Sequence, residues 1–228
     1  MNLLQLAQRA HRETGRSGTG PSAIATAIDE HRRLFDWIAD EWRELQARPI
    51  EWRWMRKTAT ATSVVGLQRY TGTNFTITDL WKWRPESPDY TVKVYLTADP
   101  GSVWRLDWLD RDQFNESYVD SQVANGRPMD WSIADDDALL IGPAADSTLY
   151  TIKAEYKKQP TELLLDTDVP DFDTKHHMML VWRALIEAGK FDNAGDMVAR
   201  GSSHYTREEQ SLLSEYAPKL QLGGSLLV

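Results

Sequence analysis

Cysteine is absent from all 228 residues, which excludes disulfides, thiolate metal sites and a cysteine nucleophile. An excess of positive charge is also missing. Lys and Arg number 26 against 34 Asp and Glu, for a net charge of −8. Binding nucleic acid through its phosphates needs clustered Lys and Arg, so this balance argues against a general nucleic-acid binder. It leaves room for an assembly that surrounds nucleic acid without gripping it. No apolar run nears the roughly 18 residues of a membrane span. Arg9 and Arg12 interrupt the N-terminal stretch too early for a secretory core. The expectation is a soluble protein, with a cysteine usage that fits a reducing compartment and with no membrane partner. Internal repeats and low-complexity tracts are lacking too.

What remains is an ordinary globular balance of 41% hydrophobic and 26% charged residues. Ten Trp are unusually many, and Trp favours cores and interfaces alike. Leu3, Leu4, Leu6, Ala7 and Ala10 form a helix-period stripe over residues 2–14. The loop from Gly15 to Gly20 breaks it, and Pro21 suits the first turn of a second helix. Ile24, Ala27, Ile28, Phe35, Ile38, Trp42 and Leu45 then recur at threes and fours among charged residues. That spacing predicts one long amphipathic helix from Ser22 to about Ala47.

The pattern then turns β-like. Thr58 to Val65 and Phe75 to Thr78 are rich in β-branched residues, while Thr91–Leu96 and Val103–Trp108 alternate. Asp110 or Asp112 can cap a short helix that sets Phe114 and Tyr118 four residues apart. Further strands are expected at residues 130–134, 138–141 and 148–157, with Tyr150, Ile152, Ala154 and Tyr156 on one face. Helix grammar returns after Pro170: one helix capped by Asp171 or Asp173 and ending near Gly189, another over 192–216 with an irregularity at Gly201. The expected fold is α+β. Residues 1–52 and 168–217 make a discontinuous helical bundle, residues 53–167 an inserted antiparallel sandwich or barrel, and residues 218–228 an extended arm.

Candidate chemistry is thin. Adjacent His176 and His177 point about 100° apart on a helix and cannot clamp a metal as an i, i+4 pair does; one buried and one solvated ring is the expectation. Asp166 to Asp173 superficially resembles a calcium loop but lacks its glycine and its closing glutamate, and reads better as an acidic lead-in to a helix N-terminus. Asp135–Asp137 reads as a hairpin turn, and Gly15–Gly20, with Ser17 inside it, as a linker with no phosphate-loop or nucleophile-elbow signature. No catalytic residue, metal ligand or cofactor is assigned. Trp52-Arg-Trp54 and Trp81-Lys-Trp83 interleave aromatic and basic residues. Strand alternation would put each Trp pair on one face, as core or as subunit interface.

The chain closes on Pro218-Lys-Leu-Gln-Leu-Gly-Gly-Ser-Leu-Leu-Val228. A helix does not easily pass Pro218, and Gly223-Gly224 supply a hinge. Leu220, Leu222, Leu226, Leu227 and Val228 are thus expected on a strand-like arm. It either folds back on its own domain or docks on a neighbour by strand addition.

The order of short phrases is informative. A Leu-Leu-Gln-Leu helix, a Gly/Pro loop and a long helix precede a Trp near the start of a β insertion. Then come Gly126-Arg-Pro128, Trp131-Ser-Ile133, Gly142-Pro143, the run from Tyr150 to Leu163, Asp166-Thr-Asp-Val-Pro-Asp-Phe172 and a closing helical pair. In this order the chain resembles the adaptor, or head-completion, proteins of tailed bacteriophages. That resemblance implies a structural virion protein, not an enzyme. It implies a ring of twelve copies at the head–tail junction, bound to the portal and to a tail or nozzle protein, with DNA passing through unbound. It also implies that the arm residues named above reach the portal. The sizeable β insertion departs from the usual pattern and is expected to carry tail or fibre contacts. Two other readings stay open. One is a glycan- or partner-binding β module of a tail or baseplate component, with Trp81, Trp83, Trp104 or Trp108 as a stacking platform. The other is a hydrolase with a carboxylate pair about 5–9.5 Å apart.

Overall fold

The computed structural model describes residues 1–84, 92–121 and 123–217. The chain divides into two compact units: Met1–Trp54 together with the chain from Pro160 onward, and Met55–Gln159.

The first unit is helical. α1 (Leu3–Glu13) begins with a capping box, in which the Asn2 side chain accepts from the Gln5 amide and the Gln5 side chain from the Asn2 amide. It buries Leu3, Leu6, Ala7 and Ala10, the stripe visible in the sequence. α2 spans Asp29–Ala47 and buries Leu34, Phe35, Ile38, Trp42 and Leu45. It starts later than the apolar spacing predicts. The Asp166 carboxylate accepts the Ile24 amide at 2.7 Å, and residues 24–26 form a single 3-10 turn ahead of the helix. A long-range hydrogen bond thus overrides local periodicity there.

α4 (Met178–Phe191) and α5 (Gly195–Tyr216) form a helical hairpin. α4 is apolar nearly all round, burying eight hydrophobic residues from Met179 to Ala188, as a central helix should. The expected irregularity at Gly201 is not there, and α5 runs unbroken. Gly201 instead lets the helices approach: a Cβ added to it would lie 2.8 Å from Ile186 Cγ1 and 3.1 Å from the Trp182 carbonyl oxygen. Gly189 plays the matching part on α4, where a Cβ would meet the Val198 amide nitrogen at 2.9 Å. It therefore sits inside α4, which continues two residues beyond it.

The second unit holds two sheets. Its strands are β1 (Arg56–Thr62), β2 (Arg69–Tyr70), β3 (Leu80–Trp83), β4 (Lys93–Leu96), β5 (Asp99–Arg105), β6 (Asp107–Trp108), β7 (Asp130–Ile133), β8 (Leu139–Gly142) and β9 (Tyr150–Lys158). One sheet runs β1-β9-β4-β5, with β3 also pairing β9; the other runs β2-β8-β7-β6, antiparallel except for β6–β7. Among the described residues both sheets are open, and no barrel closes. Their inner faces share one core: Ala61, Val94, Ile152, Ala154 and Tyr156 from the first sheet, Tyr70, Trp131, Leu139 and Ile141 from the second. Residues 75–78 form no strand. The Ile77 amide bonds back to the Gly72 carbonyl at 2.9 Å, and the turn drops Phe75 into the core.

The other face of the second sheet packs under a short helix. α3 (Arg111–Phe114) is capped by Asp110, whose side chain accepts the amides of Asp112 and Gln113. It continues as a π-helical segment over Asn115–Asp120. Phe114, Leu109 and Tyr118 cover Ala134, Ala138 and Leu140, and the Phe114 and Tyr118 rings sit 5.1 Å apart. From the first sheet outward, the unit is therefore strand layer, core, strand layer and helical cap.

Candidate interaction surfaces

The two Trp-basic-Trp motifs fold differently from each other. Trp52 and Trp54 stack at 4.4 Å with an interplanar angle of 19°. Trp52 is 0% exposed and donates its indole N–H to the Leu45 carbonyl at 2.8 Å. Trp54 is half-buried, against Phe172 and the edge of Tyr216. Trp81 and Trp83 do not share a face. The β3–β9 ladder slips a register between Leu80 and Lys82, and this bulge turns Trp81 away from its neighbour. Trp83, 2% exposed, enters the sandwich core and donates to the Asp137 carbonyl at 2.8 Å. Trp81 is 40% exposed, with Lys157 Nζ 4.4 Å above its ring. Of the four aromatics proposed for an interface, Trp54 and Trp81 alone present surface.

The outer face of the first sheet carries a row of cations. Ile152 and Ala154 are core, so Lys153 between them points outward; Val92 and Val94 do the same for Lys93, and Trp104 and Leu106 for Arg105. The register sets Lys93 opposite Lys153 on one side and opposite Arg105 on the other. Arg56, Lys82 and Lys157 extend the same face. Around them stand Thr58, Thr60, Thr62 and Val103, all exposed.

The opposite side of the β unit has the other sign. Between residues 106 and 137 there are nine acidic and two basic residues. Asp107, Asp110, Asp112, Glu116 and Asp120 lie exposed on or beside the helical cap. Asp135–Asp137 form the exposed turn between β7 and β8. Tyr118 donates to Asp130 there, and burial together with that carboxylate pushes the phenol pKa up.

An open hollow of about 380 Å³ sits at the sandwich edge, lined by Leu96, Val103, Trp104, Arg127 and Tyr150. Arg127 stacks over the Trp104 ring at 4.0 Å, and Tyr150 meets that ring edge-on at 5.7 Å. A sugar stacking on Trp104 would find one ring face taken.

In the helical unit, the carboxylate best suited to acid–base work is Glu41, which is buried and whose pKa is raised by that burial. Both of its oxygens are engaged, Oε1 by the Tyr205 hydroxyl at 2.7 Å and Oε2 facing Arg183 Nε at 3.3 Å. Arg48 reaches Tyr205 at 2.7 Å and Glu209 at 2.5 Å. This is a clamp joining α2, α4 and α5.

Both His176 and His177 are buried, against the expectation of one solvated ring. His177 packs on Phe172 and contacts its carbonyl oxygen at 3.0 Å; His176 reaches Glu215 at 3.2 Å. The acidic loop organises amides: Asp168 takes those of Leu164 and Leu165 on its carboxylate at 2.7 Å and that of Leu3 on its carbonyl at 2.8 Å. Among the described residues, no group of three or more His, Asp or Glu is placed to hold a metal. No described helix is long and apolar enough to cross a membrane. The arm residues Leu220, Leu222, Leu226, Leu227 and Val228 lie outside the described residues.

The sequence model of the SU10 adaptor protein family matches residues 1–225. No match was found among curated proteins.

Proposed function

The chain belongs to the SU10 adaptor protein family, a family of phage head–tail adaptors, and on that premise we propose that it is one subunit of a ring joining the portal of the phage head to the tail. The match over residues 1–225, through both helical segments and the β insertion, carries the reading. Twelve helical units stand side by side to match the portal. The arm residues Leu220, Leu222, Leu226, Leu227 and Val228 contact the portal, and a tail or nozzle protein binds below. DNA passes through the ring without being held, and a net charge of −8 favours that by weakening phosphate adhesion. The role is structural, with no catalytic step.

A glycan platform has less support, because Lys157 and Arg127 already lie over the rings of Trp81 and Trp104. The test is cryo-electron microscopy of the full chain co-expressed with its portal, with and without residues 219–228. The proposal expects a ring below the portal that is lost on truncation. Absence of any ring with the full chain would overturn it, and an unchanged ring on truncation would overturn the role of the arm.

A further inference from the structure

Like charges set directly opposite each other in a sheet are destabilising, yet Lys153, Lys93 and Arg105 stand in one row across β9, β4 and β5. The row lies on a face that also carries exposed threonines, Val103, Tyr95, the half-exposed Trp81 and one acidic residue, Glu155, which is paired with Arg84. The row lies outside the core, which is built from the inward residues Val94, Leu106, Ile152 and Ala154 of the same strands and their flanks. An anionic surface laid against it would convert mutual repulsion into attraction.

Such a surface exists on the same unit, on its far side. The helical cap and the β7–β8 turn gather Asp107, Asp110, Asp112, Glu116, Asp120 and Asp135–Asp137. The two faces are separated by the core and the second sheet, so one copy cannot bring them together. A second copy can. We infer that the cationic face of the first sheet docks on the acidic cap of a neighbouring copy, in a head-to-tail contact between β units. Opposite faces meeting in this sense make a heterologous interface, which propagates in one direction and closes when the rotation between copies adds up to a full turn. Complementary charge of this kind fixes the orientation of encounter and rejects the like-faced pairings. The inference deepens the ring reading and rests on it. It names the surfaces through which the inserted unit, as distinct from the helices, meets its neighbour.

The absence of native cysteine makes the test clean. In the full chain, Thr60→Cys marks the cationic face and Ser117→Cys the acidic cap, both at exposed positions. The two variants, one carrying a size tag, are mixed at high concentration and low salt and joined with a short bismaleimide. Opposite-face dimers should exceed same-face dimers by about fivefold, and the excess should fall as salt shortens the Debye length from about 30 Å toward 3 Å. Lys93→Glu with Lys153→Glu in the Thr60→Cys copy should remove the excess. Asp112→Lys with Glu116→Lys in the Ser117→Cys copy should then restore it.

Equal yields for same-face and opposite-face pairs, or no restoration by the double swap, would overturn the inference. So would capture of a fluorescent DNA duplex by the cationic face, abolished by the two Lys→Glu changes, in place of the cross-link. Portal-templated rings of the unmodified chain, scored separately, tell the two levels apart. Rings without an opposite-face excess would sink this interface alone, whereas absence of both would sink the ring reading with it.

Discussion

The Tyr205 hydroxyl donates to Glu41 Oε1 at 2.7 Å, tying the middle of α5 to a carboxylate buried on α2. Burial and the adjacent carboxylate push the Tyr205 pKa up, so the phenol stays a donor across the neutral range. Tyr205→Phe would leave one oxygen of a buried charge without its donor, and hydrogen bonds to charged groups contribute about 1.5–3 kcal/mol. A loss of that size in the guanidinium unfolding free energy is expected.

The same carboxylate gives a pH signature. Burial raises the Glu41 pKa above its reference value of 4.5, so the unfolded chain ionises first as pH rises. Its contribution to stability is full below the unfolded value and is lost as pH climbs through the folded one. Glu41→Gln lacks that slope. Its stability relative to the parent should therefore improve from pH 4.5 toward neutrality, as read by thermal melts at stepped pH.

His177 acts in the opposite sense. Burial lowers its pKa below 6.5, so the unfolded chain takes up the proton first and stability falls as pH drops below 6.5. His11, buried beside His31, has a pKa lowered first by burial and then by that neighbour, and it adds to the fall. The guanidinium midpoint should be lower at pH 5.5 than at 7.5, and His177→Gln should shrink the difference.

Two glycines of α5 should respond with opposite sign. Gly201→Ala drives a methyl to 2.8 Å from Ile186 Cγ1, and overpacking costs about 1–3 kcal/mol, against a helix-propensity gain of about 1 kcal/mol. Gly195→Ala meets nothing within 4 Å and should stabilise by about 0.4–1 kcal/mol through the unfolded chain. Chemical denaturation of both variants checks the pair.

Trp81 and Trp83, two residues apart, should also separate. Trp83→Ala empties a core site and costs about 3–5 kcal/mol. Trp81→Ala removes an exposed ring and one cation–π contact, worth about 0.5–1 kcal/mol. Comparable losses at both positions would contradict the bulge that parts them.

Most elements were legible where periodicity is strong, as in α1, α4 and the alternation of Tyr150, Ile152, Ala154 and Tyr156. The sequence misleads where a distant partner decides. Asp166 holds Ile24 in a turn that spacing alone reads as helix, and Gly201 looks like a break until Ile186 is packed against it. The Trp81 bulge is invisible because only the β9 register reveals it. The cation row had a partial signal, since Lys93, Arg105 and Lys153 each sit between core residues of an alternating strand. That they stand side by side follows from strand pairing, which composition cannot supply. Trp52, Trp54, Trp81 and Trp83 are alike in type and in their basic neighbours, and only burial divides them.

The end of α5 has a further consequence. Tyr216 is held by the edge of Trp54 at 5.3 Å, and its neighbour Glu215 by Lys175 at 2.7 Å. The last eleven residues, 218–228, therefore start from a fixed post. A chain spans at most about 3.3–3.6 Å per residue, so the twelve steps from Tyr216 to Val228 reach at most roughly 40–43 Å. The portal contact proposed for Leu220, Leu222, Leu226, Leu227 and Val228 must then lie inside a sphere of that radius centred on Tyr216, so a contact by these residues mapped farther away would contradict their proposed docking role.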